Sequence, residues 1–251
     1  MIPLKSKEDL EMMGKAGKIL ARIMQNLQKF INAGISTRQI NQLAEELVHQ
    51  QNVIPAFKGY KGFPATICTS VNEEIIHGIP NERILKEGDI ISLDLGINYK
   101  GYFSDIAVTL AVGRVNSRIK KLIEVTQKAL SEGIRHTQID NHVSDISYAI
   151  QNYVEKYGFS VVRQFVGHGI GKNLHEEPEV PNFGRPHQGP LLKKGMVLAI
   201  EPMVNMGTWE SEILDNGWTA VTKDNMPSAH FEHTVAVTEN GPEILTQPFL
   251  N

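Results

Sequence analysis

The sequence predicts a mixed α/β (α+β) fold in which two similar halves pack about an approximate twofold axis. Three observations support this prediction. Apolar residues recur at helical spacing near the start and in the middle of the chain, whereas apolar and polar residues alternate in several short segments between and after them. In addition, one strand segment and the turn that precedes it recur later in the chain.

Capping residues and apolar spacing predict four helices. Ser6 and Ser36 are each followed three residues later by a residue that can complete a capping box. Apolar positions then continue at helical spacing until Gly34 in the first helix and until Asn52 in the second. Two further helical patterns cover residues 117–135 and 141–157. We expect the first two helices to be scaffold.

Period-two alternation predicts strands in the remaining segments. Residues 89–99 and 102–112 are the longest, and Lys100-Gly101 between them favours a tight hairpin. The other strands are short, rich in β-branched residues and separated by Gly, Pro and Asn clusters. They are predicted at residues 65–71, 161–165, 196–203, 217–222 and 231–237.

The chain is predicted to form a single domain over residues 1–251. An internal repeat relates its two halves, approximately residues 50–140 and 141–251. Residues 85–94 align without gaps on 192–201, which places Asp94 on Glu201. Likewise, the segment that contains Asp105 corresponds to the segment that contains Glu232. Twofold packing would bring the four carboxylates together. Chance similarity between short β segments is the alternative explanation.

These four carboxylates lie in mid-strand, on the less apolar face of each predicted strand. A carboxylate there is often solvated on the outer face of a sheet, whereas burying one without a partner costs several kcal/mol. Four like charges can share a buried site only if cations neutralise them. Oxygen ligands completed by an imidazole suit a pair of hard divalent cations, as in binuclear aminopeptidases.

Three loop histidines are candidates to complete such a site. His168 lies among glycines, where the backbone can approach a metal or a substrate closely. This segment lacks the residues of a phosphate-binding loop. His175 follows seven residues later and His77 precedes a Gly-Ile-Pro turn, both in segments where catalytic groups tend to lie. His233 falls on the opposite strand face from Glu232 and is interpreted as structural.

Composition excludes several classes of protein. A net charge of −3 argues against bulk electrostatic binding to nucleic acid or to an anionic membrane. The single cysteine, Cys68, excludes an intrachain disulfide framework and suits a reducing compartment. Without an apolar signal core or a membrane-spanning run, the protein is expected to be cytoplasmic. A monomer is also expected.

Six spaced motifs, in the same order over nearly the whole chain, resemble the type I methionine aminopeptidase family. This resemblance implies a pita-bread fold, in which a central curved antiparallel sheet is flanked by helices in two pseudo-twofold halves. The motifs are segments 72–80, the Asp94 and Asp105 pair, 167–171, 175–178, 200–203 and 231–235.

The resemblance also implies a metal site with two divalent cations, Co, Mn, Fe or Zn, whose native identity stays open. Asp94 would be a terminal ligand of one cation, and His168 with Glu201 would hold the other. Asp105 and Glu232 would bridge both.

The implied reaction is removal of the N-terminal methionine from nascent proteins and peptides by metal-assisted hydrolysis. Glu201 would move the proton, His175 would donate to the carbonyl oxygen, and His77 would contact the scissile amide. By the same resemblance, His175 and a small apolar pocket would bind the methionyl residue. The walls of the pocket would be Tyr60, Phe63, Cys68, Phe165 and Trp218, with His77 at the edge.

Partners and alternatives follow from the same resemblance. The expected partner is the N-terminal methionine of nascent chains, with a transient ribosome contact left open and neither a membrane nor a specific nucleic acid expected. One alternative is an Xaa-Pro aminopeptidase or dipeptidase of the same fold, although those relatives usually carry an additional N-terminal domain. Another is a non-catalytic pita-bread binding protein, although such members lose ligands. Phe63 and Leu174 replace aromatic residues of some members, which leaves the second-residue preference open.

Overall fold

The computed structural model describes residues 2–247 and confirms the four predicted helices. The capping boxes at Ser6 with Asp9 and at Ser36 with Gln39 are both formed, so local hydrogen bonding sets both helix starts. The helices are α1 Lys7–Phe30, α2 Thr37–Gln50, α3 Ser117–Arg135 and α4 Val143–Glu155, and a 3-10 turn lies at Tyr60–Gly62.

The strands of the first half form around one long antiparallel pair, which the alternation predicted. β4 and β5 pair along their whole length, from Ile90 opposite Ala111 to Tyr99 opposite Tyr102. The strands in this half are β1 Ile54–Pro55, β2 Cys68–Val71, β3 Glu74–Ile76, β4 Ile90–Tyr99 and β5 Tyr102–Ala111.

The second half contains shorter strands, several of which the sequence did not predict. They are β6 Ser160–Val161, β7 Gly167–Gly169, β8 Glu176–Val180, β9 Val197–Ile200, β10 Met203–Asn205, β11 Ser211–Ile213, β12 Ala220–Thr222, β13 Ser228–His230, β14 Glu232–Thr238 and β15 Gly241–Ile244.

One nine-stranded antiparallel sheet joins the two halves. Its order is β1-β4-β5-β14-β9-β7-β8, with β2 added beside β4 and β15 beside β14. The joint lies between β5 and β14, where Glu232 pairs with Ala107. Two three-stranded sheets, β13-β10-β6 and β11-β12-β3, lie beside it.

Helices cover one face of the central sheet in each half. Ile91, Leu93, Leu95 and Ile97 of β4 share a hydrophobic core with residues of α1 and α2. In the second half, apolar residues of β9 and β14 pack in the same way against α3 and α4. Because side chains alternate along a strand, the opposite face of the sheet is left for the polar residues of these strands.

One predicted strand is interrupted at a position that matters for function. The alternation predicts one strand over residues 196–203, but Glu201-Pro202 separates β9 from β10, and the two belong to different sheets. Pro202 has no N–H for a ladder, so a strand through it would lose a hydrogen bond. Glu201 is therefore placed at a strand end.

Three other predicted strands are shorter than expected, and one of them, at residues 217–222, begins only at Ala220. Residues 65–71 form a strand only from Cys68, and residues 161–165 contribute only Val161 to β6. Among residues 2–247, no helix is long and apolar enough to cross a membrane.

Candidate metal centre

The strand register on either side of β5 places three carboxylates side by side. Asp94 of β4 and Glu232 of β14 both pair with Ala107, which lies between them on β5. Asp105 is two residues before Ala107 and therefore points to the same face of the sheet. The three carboxylates thus come from three adjacent strands, on the face opposite α1 and α2.

The register of the second half adds Glu201 and His168 to the same face. Ala199 of β9 pairs with His168 of β7 on one side and with Thr234 of β14 on the other. Glu201 and Glu232 each lie two residues from this row, so their side chains share its face. The structure therefore brings together all five residues that the sequence proposed as ligands.

All five side chains are buried, with exposed fractions between 2% and 8%. Burial raises the pKa of the Asp94, Glu201 and Glu232 carboxyls well above their ordinary values, and the neighbouring carboxylates add to the effect. Burial also raises the pKa of Asp105, to about 7. Four carboxyls in such a site cannot all be ionised unless positive charge enters it.

The imidazole of His168 is arranged to act as a neutral ligand. Burial first, and the nearby His175 second, lower its pKa to about 3, so the ring is neutral at physiological pH. Its Nδ1 lies 2.8 Å from the Gly169 carbonyl oxygen, an acceptor that keeps the proton on Nδ1. Nε2 is then free to coordinate, and it lies 3.7 Å from Oε1 of Glu201.

This group of residues fits divalent cations. One donor atom from each of Asp105, His168 and Glu232 lies within 4.8 Å of the others. Oδ1 of Asp94 is buried and has no hydrogen-bond partner within the described part of the chain, which is costly unless a cation binds there. Carboxylate oxygens with one imidazole match Mn, Fe, Co or Zn.

The shifted pKa values have opposite effects on the stability of the metal-free protein. The buried histidines stay neutral in the native state, so below about pH 6.5 the unfolded chain binds more of their protons and stability rises with pH. The carboxyls retain protons that the unfolded chain has already released, which makes stability fall with pH. Above pH 6.5 only the second effect remains.

His77 and His175 lie at the same cavity. The ring centroid of His175 is 4.2 Å from that of His168, and its Nδ1 lies 2.9 Å from the Tyr60 hydroxyl. His77 has a positive φ of 59°, and the following Gly78 is so close to Thr69 that a Cβ would lie 2.3 Å from the Thr69 carbonyl oxygen. This constrained turn aims the His77 ring into the cavity.

The five candidate ligands and a set of mainly apolar side chains line one cavity of about 180 Å³. Cys68 is buried and pairs with Asp94 across β2 and β4, and burial, with the Asp94 charge second, raises the pKa of its thiol. Of the predicted wall residues, Tyr60, Phe63, Cys68, His77, His175 and Trp218 line this pocket. The lining also includes Phe57, Lys61, Ile76 and Leu174, of which only Leu174 was noted from the sequence.

Phe165 occupies a different position from the other wall residues. It does not line the pocket but packs edge-on against His77, with ring centroids 5.8 Å apart. The Trp218 ring is also edge-on to the same imidazole, with ring centroids 6.2 Å apart. The described geometry therefore places Phe165 behind His77, where it supports the imidazole.

Sequence reasoning missed His230, which is fully buried beside the carboxylates. Its Nε2 lies 3.7 Å from Oε2 of Glu201, and neither ring nitrogen has a hydrogen-bond partner among residues 2–247. The only sequence signal was its position two residues before Glu232. By contrast, the Nδ1 atom of His233 lies 2.9 Å from the Thr246 hydroxyl, in agreement with its interpretation as structural.

Comparison with known proteins assigns the family. The profile of metallopeptidase family M24 matches residues 11–239. The chain belongs to this family. A methionine aminopeptidase of Clostridium perfringens is 52% identical to this M24 chain. The alignment covers 98% of this chain and 99% of the relative.

Solved structures of M24 relatives agree with the fold. The crystal structure of a methionine aminopeptidase from Thermotoga maritima superposes with a TM-score of 0.97 at 46% identity, covering 98% of this chain and 100% of that one. A prolidase from Pyrococcus furiosus superposes with a TM-score of 0.80 at 24% identity. The superposition covers 98% of this chain and 66% of the prolidase chain. The predicted pita-bread fold is thereby confirmed.

Proposed function

We propose that the protein removes the N-terminal methionine from polypeptides by metal-assisted hydrolysis. The observation that carries this proposal is the junction of a small apolar pocket with a buried cluster of four carboxylates and one imidazole. The M24 relatives with the greatest overall similarity described above are methionine aminopeptidases, which supports the same substrate.

Two divalent cations are proposed to occupy the centre. Asp94 would be a terminal ligand of one, His168 with Glu201 would hold the other, and Asp105 with Glu232 would lie between them. The placement of these residues on adjacent strands supports this division. When bound, the cations supply Lewis acidity and an activated water. Mn, Fe, Co and Zn all suit the donor set.

Proton transfer is assigned to Glu201 and the two loop histidines. Glu201 lies beside the His168 imidazole among the proposed ligands, and we assign its carboxylate to take a proton and return it to the leaving amine. The Nδ1 atom of His175 lies at the Tyr60 hydroxyl, which leaves Nε2 facing the cavity to donate to the carbonyl oxygen. Burial lowers the pKa of His77 to about 4, so it offers a neutral N–H to the scissile amide.

Selectivity for methionine is assigned to the apolar pocket. Phe63 and Trp218 meet edge to face, with centroids 5.2 Å apart, and Cys68 closes the pocket beside the carboxylates. A narrow apolar pocket favours an unbranched thioether over a branched or charged side chain. Tyr60 and Phe165 hold the two histidines that border it.

We further propose that residues 1–251 form one catalytic domain of two related halves. The protein is proposed to be a cytoplasmic monomer that acts on nascent chains. The matching roles of Asp94 with Glu201 and of Asp105 with Glu232 support the repeat. A transient ribosome contact is part of this proposal; a membrane or a specific nucleic acid partner is not.

The test is peptide cleavage after chelation and reconstitution with Mn, Fe, Co or Zn, each at measured stoichiometry. We expect release of methionine from Met-Ala-Ser peptides and little cleavage of Leu-Ala-Ser. Release of residues before proline would instead support the dipeptidase alternative, and a chain that binds no cation would support the non-catalytic one. At the candidate metal centre itself, two bound cations per chain are expected.

Variants of the loop histidines test their roles. His77→Ala and His175→Ala should retain both cations and lose most turnover, because neither residue is a proposed ligand. His49→Ala, on the exposed end of α2, is the matched control and should be fully active. Turnover at the unmodified rate in either loop variant would contradict the assignment.

A further inference from the structure

A second group of metal-ligating side chains lies outside the cavity described above. His142, Asp145 and His187 each offer one donor atom, and these atoms all lie within 4.8 Å of one another. None of the three lines the catalytic cavity. They come from the start of α4 and from the loop that precedes β9, so they link two separate segments of the chain.

Asp145 is held rigidly at the centre of this group. Its Oδ2 accepts the His142 backbone N–H at 2.7 Å, and its Oδ1 accepts the His187 backbone N–H at 2.8 Å. Each carboxylate oxygen keeps a further lone pair for another partner. The side chain is 9% exposed, whereas that of His187 is 80% exposed. The carboxylate is therefore a fixed ligand that faces a movable one.

Both imidazoles face this carboxylate through the same ring nitrogen. Nδ1 of His142 lies 3.9 Å from Oδ2 of Asp145, and Nδ1 of His187 lies 3.5 Å from Oδ1. The two rings are nearly perpendicular, with centroids 6.2 Å apart. Donor atoms around a tetrahedral cation are roughly 3.3 Å apart, as bond lengths near 2 Å require. The exposed His187 ring can make the remaining shift.

The backbone around the group is already fixed. Gln188 N–H donates to the Ser144 hydroxyl at 2.7 Å, and Val143 N–H donates to the Pro190 carbonyl at 3.0 Å. His187 itself has a positive φ of 61°, and its Nδ1 lies 3.5 Å from Oδ1 of Asp145 in α4. Because these contacts hold the loop on the helix, little chain entropy is lost when a cation binds.

We propose that His142, Asp145 and His187 form a third cation site that binds a borderline divalent ion such as Zn²⁺ and clips the 184–190 loop to the start of α4. Two imidazoles favour Zn²⁺ or Ni²⁺ over Mg²⁺ or Ca²⁺, which prefer oxygen ligands. The His187 side chain is 80% exposed, so a cation at this site would be accessible from solvent. This site does not depend on the proposed peptidase activity.

The experiment is a Zn²⁺ titration of the fully metallated protein by calorimetry, with bound metal counted after desalting. We expect one more equivalent in the unmodified protein than in the His142→Ala/His187→Ala double variant. His187→Ala alone should raise Kd at least about tenfold, since even the loss of a ligand's hydrogen-bond partner has that effect. Because His187 is exposed, this variant should fold normally.

Controls separate a built site from adsorption to surface histidines. His49→Ala and His136→Ala remove exposed histidines elsewhere and should leave the extra equivalent intact. Zn²⁺ should also raise the Tm of the unmodified protein more than that of His187→Ala. Equal stoichiometry and affinity in the unmodified protein and the double variant, or an equal loss in the control variants, would overturn the proposal.

Discussion

The ion pair between Lys5 and Glu176 fixes the turn that carries His175. Lys5 Nζ lies 2.5 Å from Oε2 of Glu176, and the two side chains are only 7% and 6% exposed. Oε1 of Glu176 accepts the backbone N–H groups of Lys172 and Asn173 at 2.9 and 3.1 Å. The segment before α1 thus holds the loop whose histidine we assign to catalysis.

Replacing Lys5 by Met keeps most of the buried stem but leaves the Glu176 carboxylate without its cation. Breaking a buried pair in this way costs about 3–5 kcal/mol. We expect the lower end of this range because the two backbone donors remain. Since His175 follows directly from this loop, kcat should fall while the bound cations stay in place.

The assay is urea unfolding of the metallated protein together with kcat on a Met-Ala-Ser peptide. Lys58→Met is the matched control, because Lys58 and Glu45 form an exposed pair with side chains 46% and 50% exposed. That pair should contribute at most about 1 kcal/mol. Adding Glu176→Gln to Lys5→Met should recover part of the stability. A loss from Lys5→Met no larger than the loss from Lys58→Met would refute this reasoning.

Three further predictions concern the candidate metal centre. Above about pH 6.5, the free energy of unfolding of the metal-free protein should fall by about 1.4 kcal/mol per pH unit for each carboxyl proton that the native state retains. Urea titrations at several pH values measure this slope, and a saturating concentration of the cation should abolish it. Gly169→Ala should destabilise by at least about 2 kcal/mol in the same titrations, because its Cβ would lie 2.2 Å from the Glu177 carbonyl oxygen; an unchanged midpoint would contradict this. His230→Leu should weaken cation binding about tenfold, as measured by calorimetry. His230→Gln should weaken it less, because Gln keeps a polar neighbour for Glu201. Equal affinities in the unmodified protein and both variants would exclude a role of His230 in cation binding.

Local patterns were enough to predict the helices and the long strand pair. The hydroxyl of Ser6 and the side chain of Asp9 close a capping box within three residues, so neighbours in the chain set the start of α1. Alternation along β4 and β5 likewise assigns Asp94 and Asp105 to the face away from the helices. Both signals depend on residues close in sequence.

The internal repeat predicted the carboxylates that the second half of the chain contributes to the metal centre. Aligning Asp94 with Glu201 predicted that residues far apart in sequence converge, and the shared sheet places them together. Resemblance, rather than periodicity, supplied His168 as the fifth ligand, because its strand β7 has only three residues, two of them glycine. Such a segment is too short for alternation to be visible.

Only the folded chain shows which distant side chains meet. His230 approaches Glu201 because Pro202 ends β9 and β13 turns back beside β10, and no local pattern reports that pairing. Lys5 meets Glu176 and His142 meets His187 for the same reason. Local hydrogen bonds and side-chain alternation are set by the chain itself, whereas these contacts depend on how sheets and loops pack.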